Sequence, residues 1–87
     1  MAIRGRGPSK SLRSAEHAKF RAVLIEAREK AGLTQEELAK KLGRPQSFVA
    51  KYEGGERRLD MVEFLWVTKA MKMDPLRVLR TLIDRIG

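Results

Sequence analysis

At 87 residues the chain has the length of one small domain, with room for a single core and no second ligand-binding unit. Nineteen Lys and Arg against eleven Asp and Glu leave a net charge of +8, which favours polyanionic partners such as nucleic acid. Cysteine is absent, excluding disulfides, thiolate zinc sites and a thiol nucleophile, and no apolar run approaches the roughly 20 residues of a membrane span.

Residues 1–13, MAIRGRGPSKSLR, carry four basic residues and no acidic one, and two glycines, a proline and two serines break any apolar period. This predicts a flexible basic arm, either a strap along a phosphate backbone or an idle tail, ahead of a folded domain over 14–87. The N-terminus has basic residues but no apolar stretch of signal-peptide length, so a soluble cytoplasmic protein is expected.

The folded part reads as five capped helices. Ser14 is placed to cap a first helix through about Ala31, with Phe20, Val23, Leu24 and Ala27 at helical spacing and Gly32 as its stop. Thr34 with Glu37 three residues on is a capping box for a second helix ending at Leu42, before Gly43. Pro45 holds Arg44 extended and suits a helix start, so a third helix is predicted from about Pro45 to Glu53, ended by Gly54-Gly55. Asp60 with Glu63 opens a fourth helix to about Met71, and Asp74-Pro75 opens a fifth to about Ile86, striped by Leu76, Leu79, Leu82, Ile83 and Ile86. No segment alternates as a strand would, and the expected class is all-α.

The stretch LTQEELAKKLGRPQSFVAKYEGGERR, from Leu33 to Arg58, joins two short amphipathic helices with very few residues. A steep crossing through so tight a turn needs a small side chain where the backbones approach, a glycine in the turn, and an apolar residue closing over the first helix. Ala39, Gly43 and Val49 supply these, and Leu38, Leu42 and Tyr52 complete the inward contacts. Gln46, Ser47, Ala50, Lys51 and Gly54 then fall on the opposite, solvent-facing side of the third helix.

This arrangement, over about 34–54, looks like a helix-turn-helix, and the chain closely resembles the phage-repressor-like family called XRE or Cro/CI. The resemblance runs roughly from Ala15 to Leu79 and rests on AREKAGLTQEELAKKLG, PQSFVAKYEGGERR and VEFLWVTKAM. It implies a five-helix lambda-repressor-like fold and sequence-specific binding of double-stranded DNA by a transcription regulator, a repressor, with the third helix in the major groove.

Position by position, it implies that Gln35 contacts a phosphate, that Gln46 and Ser47 reach base edges, that Lys51 makes a further base or phosphate contact, and that Arg58 touches the backbone. Thr34 and Arg44 belong to the same expected DNA-binding set. The side-chain chemistry agrees: Gln pairs with adenine, Ser serves either pair type, and Lys donates to guanine acceptors. Arg28 and Glu53 match positions that form an ion pair between the first and third helices, and with Ala39, Gly43 and Val49 they make up the expected structural set. Arg57 is left without a role.

Four positions depart from the family pattern. Pro45 replaces a side-chain cap; Phe48 replaces a small polar residue and is expected to pack partly against the second helix, with contact to a thymine methyl as the alternative; Ala50 removes one possible base reader; Lys72 stands where a glycine often ends the fourth helix.

Catalysis finds no foothold, since His17 has no metal partners or nucleophile nearby in sequence and Glu36-Glu37 are explained by the helix dipole. No cofactor, metal or membrane partner is implied. A homodimer on a two-fold symmetric operator is expected, through outward-facing Trp66 and the fifth helix. The alternative reading is an antitoxin-type module that binds DNA and also neutralises a partner protein.

Overall fold

The computed structural model describes residues 15–87, which form five helices and, among the described residues, no strand. They are α1 (His17–Lys30), α2 (Gln35–Leu42), α3 (Gln46–Gly54), α4 (Met61–Ala70) and α5 (Pro75–Ile86). The expected arm over 1–13 and the cap at Ser14 lie outside the described residues. Ahead of α1, Glu16 is already helical and makes no side-chain cap.

Local chemistry sets the other boundaries. The Thr34 hydroxyl accepts from the Glu37 amide at 3.0 Å while the Glu37 carboxylate accepts from the Thr34 amide at 2.9 Å, so both ends of the expected capping box are closed. Asp60 and Glu63 repeat this at α4, at 2.8 and 3.0 Å. At α5, Asp74 accepts from the Leu76 amide at 3.0 Å and Pro75 fills the first turn, where its missing N–H costs nothing.

The turn between α2 and α3 depends on Gly43, whose φ of +68° is left-handed, and the Arg44 amide then returns to the Ala39 carbonyl at 3.0 Å. Pro45, at φ −65° and ψ 155°, stands just outside α3 as its cap residue, one position before the helix itself begins. Gly54 closes α3 and Gly55, at φ +86°, turns the chain; a Cβ at Gly55 would also lie 3.1 Å from the guanidinium carbon of Arg21. Lys72 takes the left-handed turn after α4 itself, at φ 58°, where a glycine would carry no Cβ penalty.

All five helices feed one core. Val23, Leu24 and Ala27 come from α1, Leu38 and Ala39 from α2, Phe48, Val49 and Tyr52 from α3, Phe64 and Val67 from α4, with Met71 just after it. From α5 only Val78 is fully buried, a residue absent from the predicted stripe. Leu79 and Leu82 pack half-buried against the core, whereas Leu76 and Ile83 face solvent. Sealing a side chain such as Leu24 or Leu38 contributes about 1.5–3 kcal/mol. The last helix lies along the first: Lys19 Nζ donates to the Arg85 carbonyl at 3.1 Å, and Arg85 grips Glu26 with bonds of 2.9 and 2.6 Å. No helix of the described residues is long and apolar enough to cross a membrane.

Candidate nucleic-acid interface

Ala39 and Val49 are 1% and 0% exposed, so the two backbones of the motif approach where the sequence provides the smallest side chain and the close-packing valine. That contact rolls α3 so that Phe48, Val49, Tyr52 and Glu53 point inward and Gln46, Ser47, Lys51 and Gly54 outward. Ala50 is half-buried, at the edge of the polar face.

One carboxylate ties three helices together. Glu53, buried on α3, accepts from Arg28 Nε at 2.8 Å and Nη2 at 3.2 Å, and from Gln35 Nε2 at 2.8 Å. Arg28 Nη1 meanwhile donates to the Leu33 carbonyl at 2.8 Å, stitching the α1–α2 turn to the same cluster. Its hydrogen bond to Glu53 holds the Arg28 guanidinium above its ordinary pKa. The expected Arg28–Glu53 pair is therefore present, joined by Gln35. Gln35 spends one amide N–H inside the protein and keeps its second N–H and its oxygen for an outside partner.

A second cluster, around Phe48, includes Arg57, which the sequence left without a role. Arg57 makes a two-pronged bond to Glu63 at 3.0 and 2.6 Å, donates to the Arg58 carbonyl at 3.0 Å, and lays its guanidinium 4.8 Å from the centre of the Phe48 ring. Arg57 together with the Asp60 amide holds the Glu63 carboxyl down at about 2. In the sequence, the place of Glu63 in the capping box with Asp60 already accounted for it, and nothing near Arg57 pointed to the pair. Phe48 is buried, edge-on to Tyr52 at 5.6 Å, so it packs inward as expected, although its neighbours include α4 and the α3–α4 loop as well as α2.

The remaining expected DNA contacts are exposed. Thr34 keeps its hydroxyl proton free while its oxygen caps α2. Lys51 and Arg58 make no ion pair among the described residues. Arg44 is drawn toward α4, its guanidinium 5.0 Å from the Phe48 ring and 5.5 Å from Trp66. His17 sits by α1's start, accepting from Arg21 at 3.1 Å; partial burial, then the charges of Arg58 and Arg21, push its pKa down. The described residues contain no cluster of three or more potential metal ligands.

Comparison with known proteins agrees with this geometry. A helix-turn-helix family pattern matches residues 24–64. An XRE-family like protein from Pseudomonas syringae pv. tomato is 45% identical, with 87% of this chain and 93% of that chain covered and a TM-score of 0.80. The restriction-modification controller protein C.AhdI from Aeromonas hydrophila is 34% identical over 74% of this chain and 97% of its own, at a TM-score of 0.67. The wild-type restriction-modification controller protein C.Esp1396I is 25% identical over 84% and 94%, at 0.76. Among curated proteins nothing matches. An exposed polar face on a helix locked through Val49 and Glu53, in a chain nearly half identical to an XRE-family protein along most of its length, identifies the molecule: it belongs to the XRE family of helix-turn-helix, DNA-binding transcription regulators.

Proposed function

We propose that the protein is a cytoplasmic repressor that binds a two-fold symmetric operator as a homodimer, with α3 in the major groove. The supporting observation is the outward set Gln46, Ser47 and Lys51 on a helix whose other side is fixed to α1 and α2. Gln46 and Ser47 read base edges, and Lys51 reads a base or holds a phosphate. Thr34, Gln35, Arg44 and Arg58 position the backbone without reading sequence. The family consists of regulators rather than enzymes, and the named controllers among the relatives favour this reading over an antitoxin.

The dimer reading rests on apolar surface that the core leaves uncovered. Met61, Val62, Leu65 and Trp66 on α4 are between 45% and 61% exposed, and on α5 Leu76 and Ile83 also face solvent. A two-fold pair places its reading helices about 34 Å apart, one turn of DNA.

Selection of bound sequences from a random pool defines the operator, and competition with single-base variants then tests the roles. Gln46→Ala should cost about 1–3 kcal/mol at one base position and relax preference there, while Arg58→Ala weakens all sequences alike. A uniform loss in Gln46→Ala removes it from base reading. Sedimentation of the parent and of Trp66→Ala, with and without operator, tests the dimer; one monomer per operator refutes it.

A further inference from the structure

Beside the turn that opens α3 lies a cleft of about 520 Å³ whose lining shares only Arg44 with the proposed DNA contacts. Its size falls within the roughly 300–1,000 Å³ of small-molecule sites. Leu42, Phe48, Val67 and Ala70 form an apolar floor, and Trp66, 48% exposed, makes one wall. Around the mouth stand Lys41, Arg44 and Lys69, none of which makes an ion pair among the described residues. The one carboxylate in the lining, Glu63, is already engaged by Arg57 and by the Asp60 amide. The cleft therefore combines uncompensated positive charge with aromatic and aliphatic surface.

We propose that this cleft binds a small aromatic carboxylate, whose ring lies on Trp66 and the apolar floor while its carboxylate takes the Arg44 guanidinium. Arg44 is preset for this, held between Phe48 and Trp66 at 5.0 and 5.5 Å with its donors unspent. A bare phosphate would leave the floor unused, and a neutral aromatic would leave the cations unpaired. On α4 the cleft shares Trp66 with the surface assigned to the dimer, whereas Met61, Val62 and Leu65 of that surface do not line it.

Trp66 is the chain's single tryptophan and reports binding directly, on the DNA-free protein, independently of the operator reading. The test titrates para-tert-butylbenzoate, its uncharged carboxamide and inorganic phosphate while following Trp66 fluorescence at several protein concentrations. The benzoate should give a saturable change at one site per chain, and the carboxamide and phosphate should not. Arg44→Gln or Lys69→Gln should weaken benzoate binding roughly 10- to 100-fold for the first and less for the second, with folding checked by circular dichroism. Arg77→Gln, exposed on α5, should leave it unchanged. Absence of saturation, equal binding of the carboxamide, or equal binding to Arg44→Gln overturns the proposal. Phosphate binding as tightly would make the cleft a DNA-backbone contact, and benzoate binding that weakens as protein concentration rises would give the cleft to a second copy; either result also overturns it.

Discussion

Replacing Glu53 with alanine takes the shared acceptor from three N–H groups at once: two of Arg28, at 2.8 and 3.2 Å, and one of Gln35, at 2.8 Å. The Arg28 side chain is only 13% exposed, and Glu53 only 4%, so the guanidinium is left charged, mostly out of water and without its counter-ion. Breaking a buried pair in this way costs about 3–5 kcal/mol. Arg28 keeps its bond to the Leu33 carbonyl and part of its surface, which argues for the low end, about 3 kcal/mol. In a domain of this size each kcal/mol moves the midpoint by about 4–8 °C, so Tm should fall by roughly 12–24 °C.

Thermal and urea unfolding of the parent, Glu53→Ala, Arg28→Ala and the double variant measure this directly. The double variant leaves no stranded charge and should lose less than the sum of the two singles. A Tm for Glu53→Ala within about 4 °C of the parent, or strict additivity, refutes the claim that this cluster fixes α3.

Three further outcomes follow from the same structure. Glu63 has its carboxyl pulled from the ordinary 4.5 to about 2, so the folded state binds its proton less readily than the unfolded chain. Its contribution is complete above about pH 4.5 and is lost as pH falls toward 2; the Tm difference between the parent and Glu63→Gln should shrink over that window, and a constant difference contradicts the Arg57 pairing. Tyr52→Phe removes a buried hydroxyl that has no hydrogen-bond partner among the described residues, so Tm should hold or rise by the equivalent of up to about 1 kcal/mol; a clear drop would reveal a partner. Lys72→Gly relieves a left-handed lysine and should stabilise by up to about 1 kcal/mol in urea melts, whereas a loss would mean that backbone entropy outweighs the strain.

The features legible from sequence are those set by neighbours in the chain. Thr34, Asp60 and Asp74 cap as read because a short side chain reaches amides only two or three residues away. Ala39, Gly43 and Val49 were readable because the turn is so short that few residue types fit it. Features set by how helices dock were harder to see. The α5 stripe was chosen by spacing alone, but contact with α1 rotates the helix until Val78 is inside and Leu76 is 72% exposed. Gln35 turns toward Glu53, eighteen residues away, and nothing near Gln35 in the chain announces that acceptor. Arg57 finds Glu63 and Phe48 together only after the α3–α4 loop has folded back, so its place in the scaffold was not visible from spacing.

The clasp between the first and last helices makes the described chain nearly a closed ring. Residues 66 and 59 positions apart meet through Arg85, and Glu16 and His17 share an apolar groove with Ile86. Local turns and caps can form the intervening helices early, but this junction requires nearly the whole chain and carries its largest loop-closure cost. Because the two ends of the described residues finish at the same edge, a linker joining them could carry the covalent continuity now provided by an exposed turn, leaving the same helices packed in a permuted order.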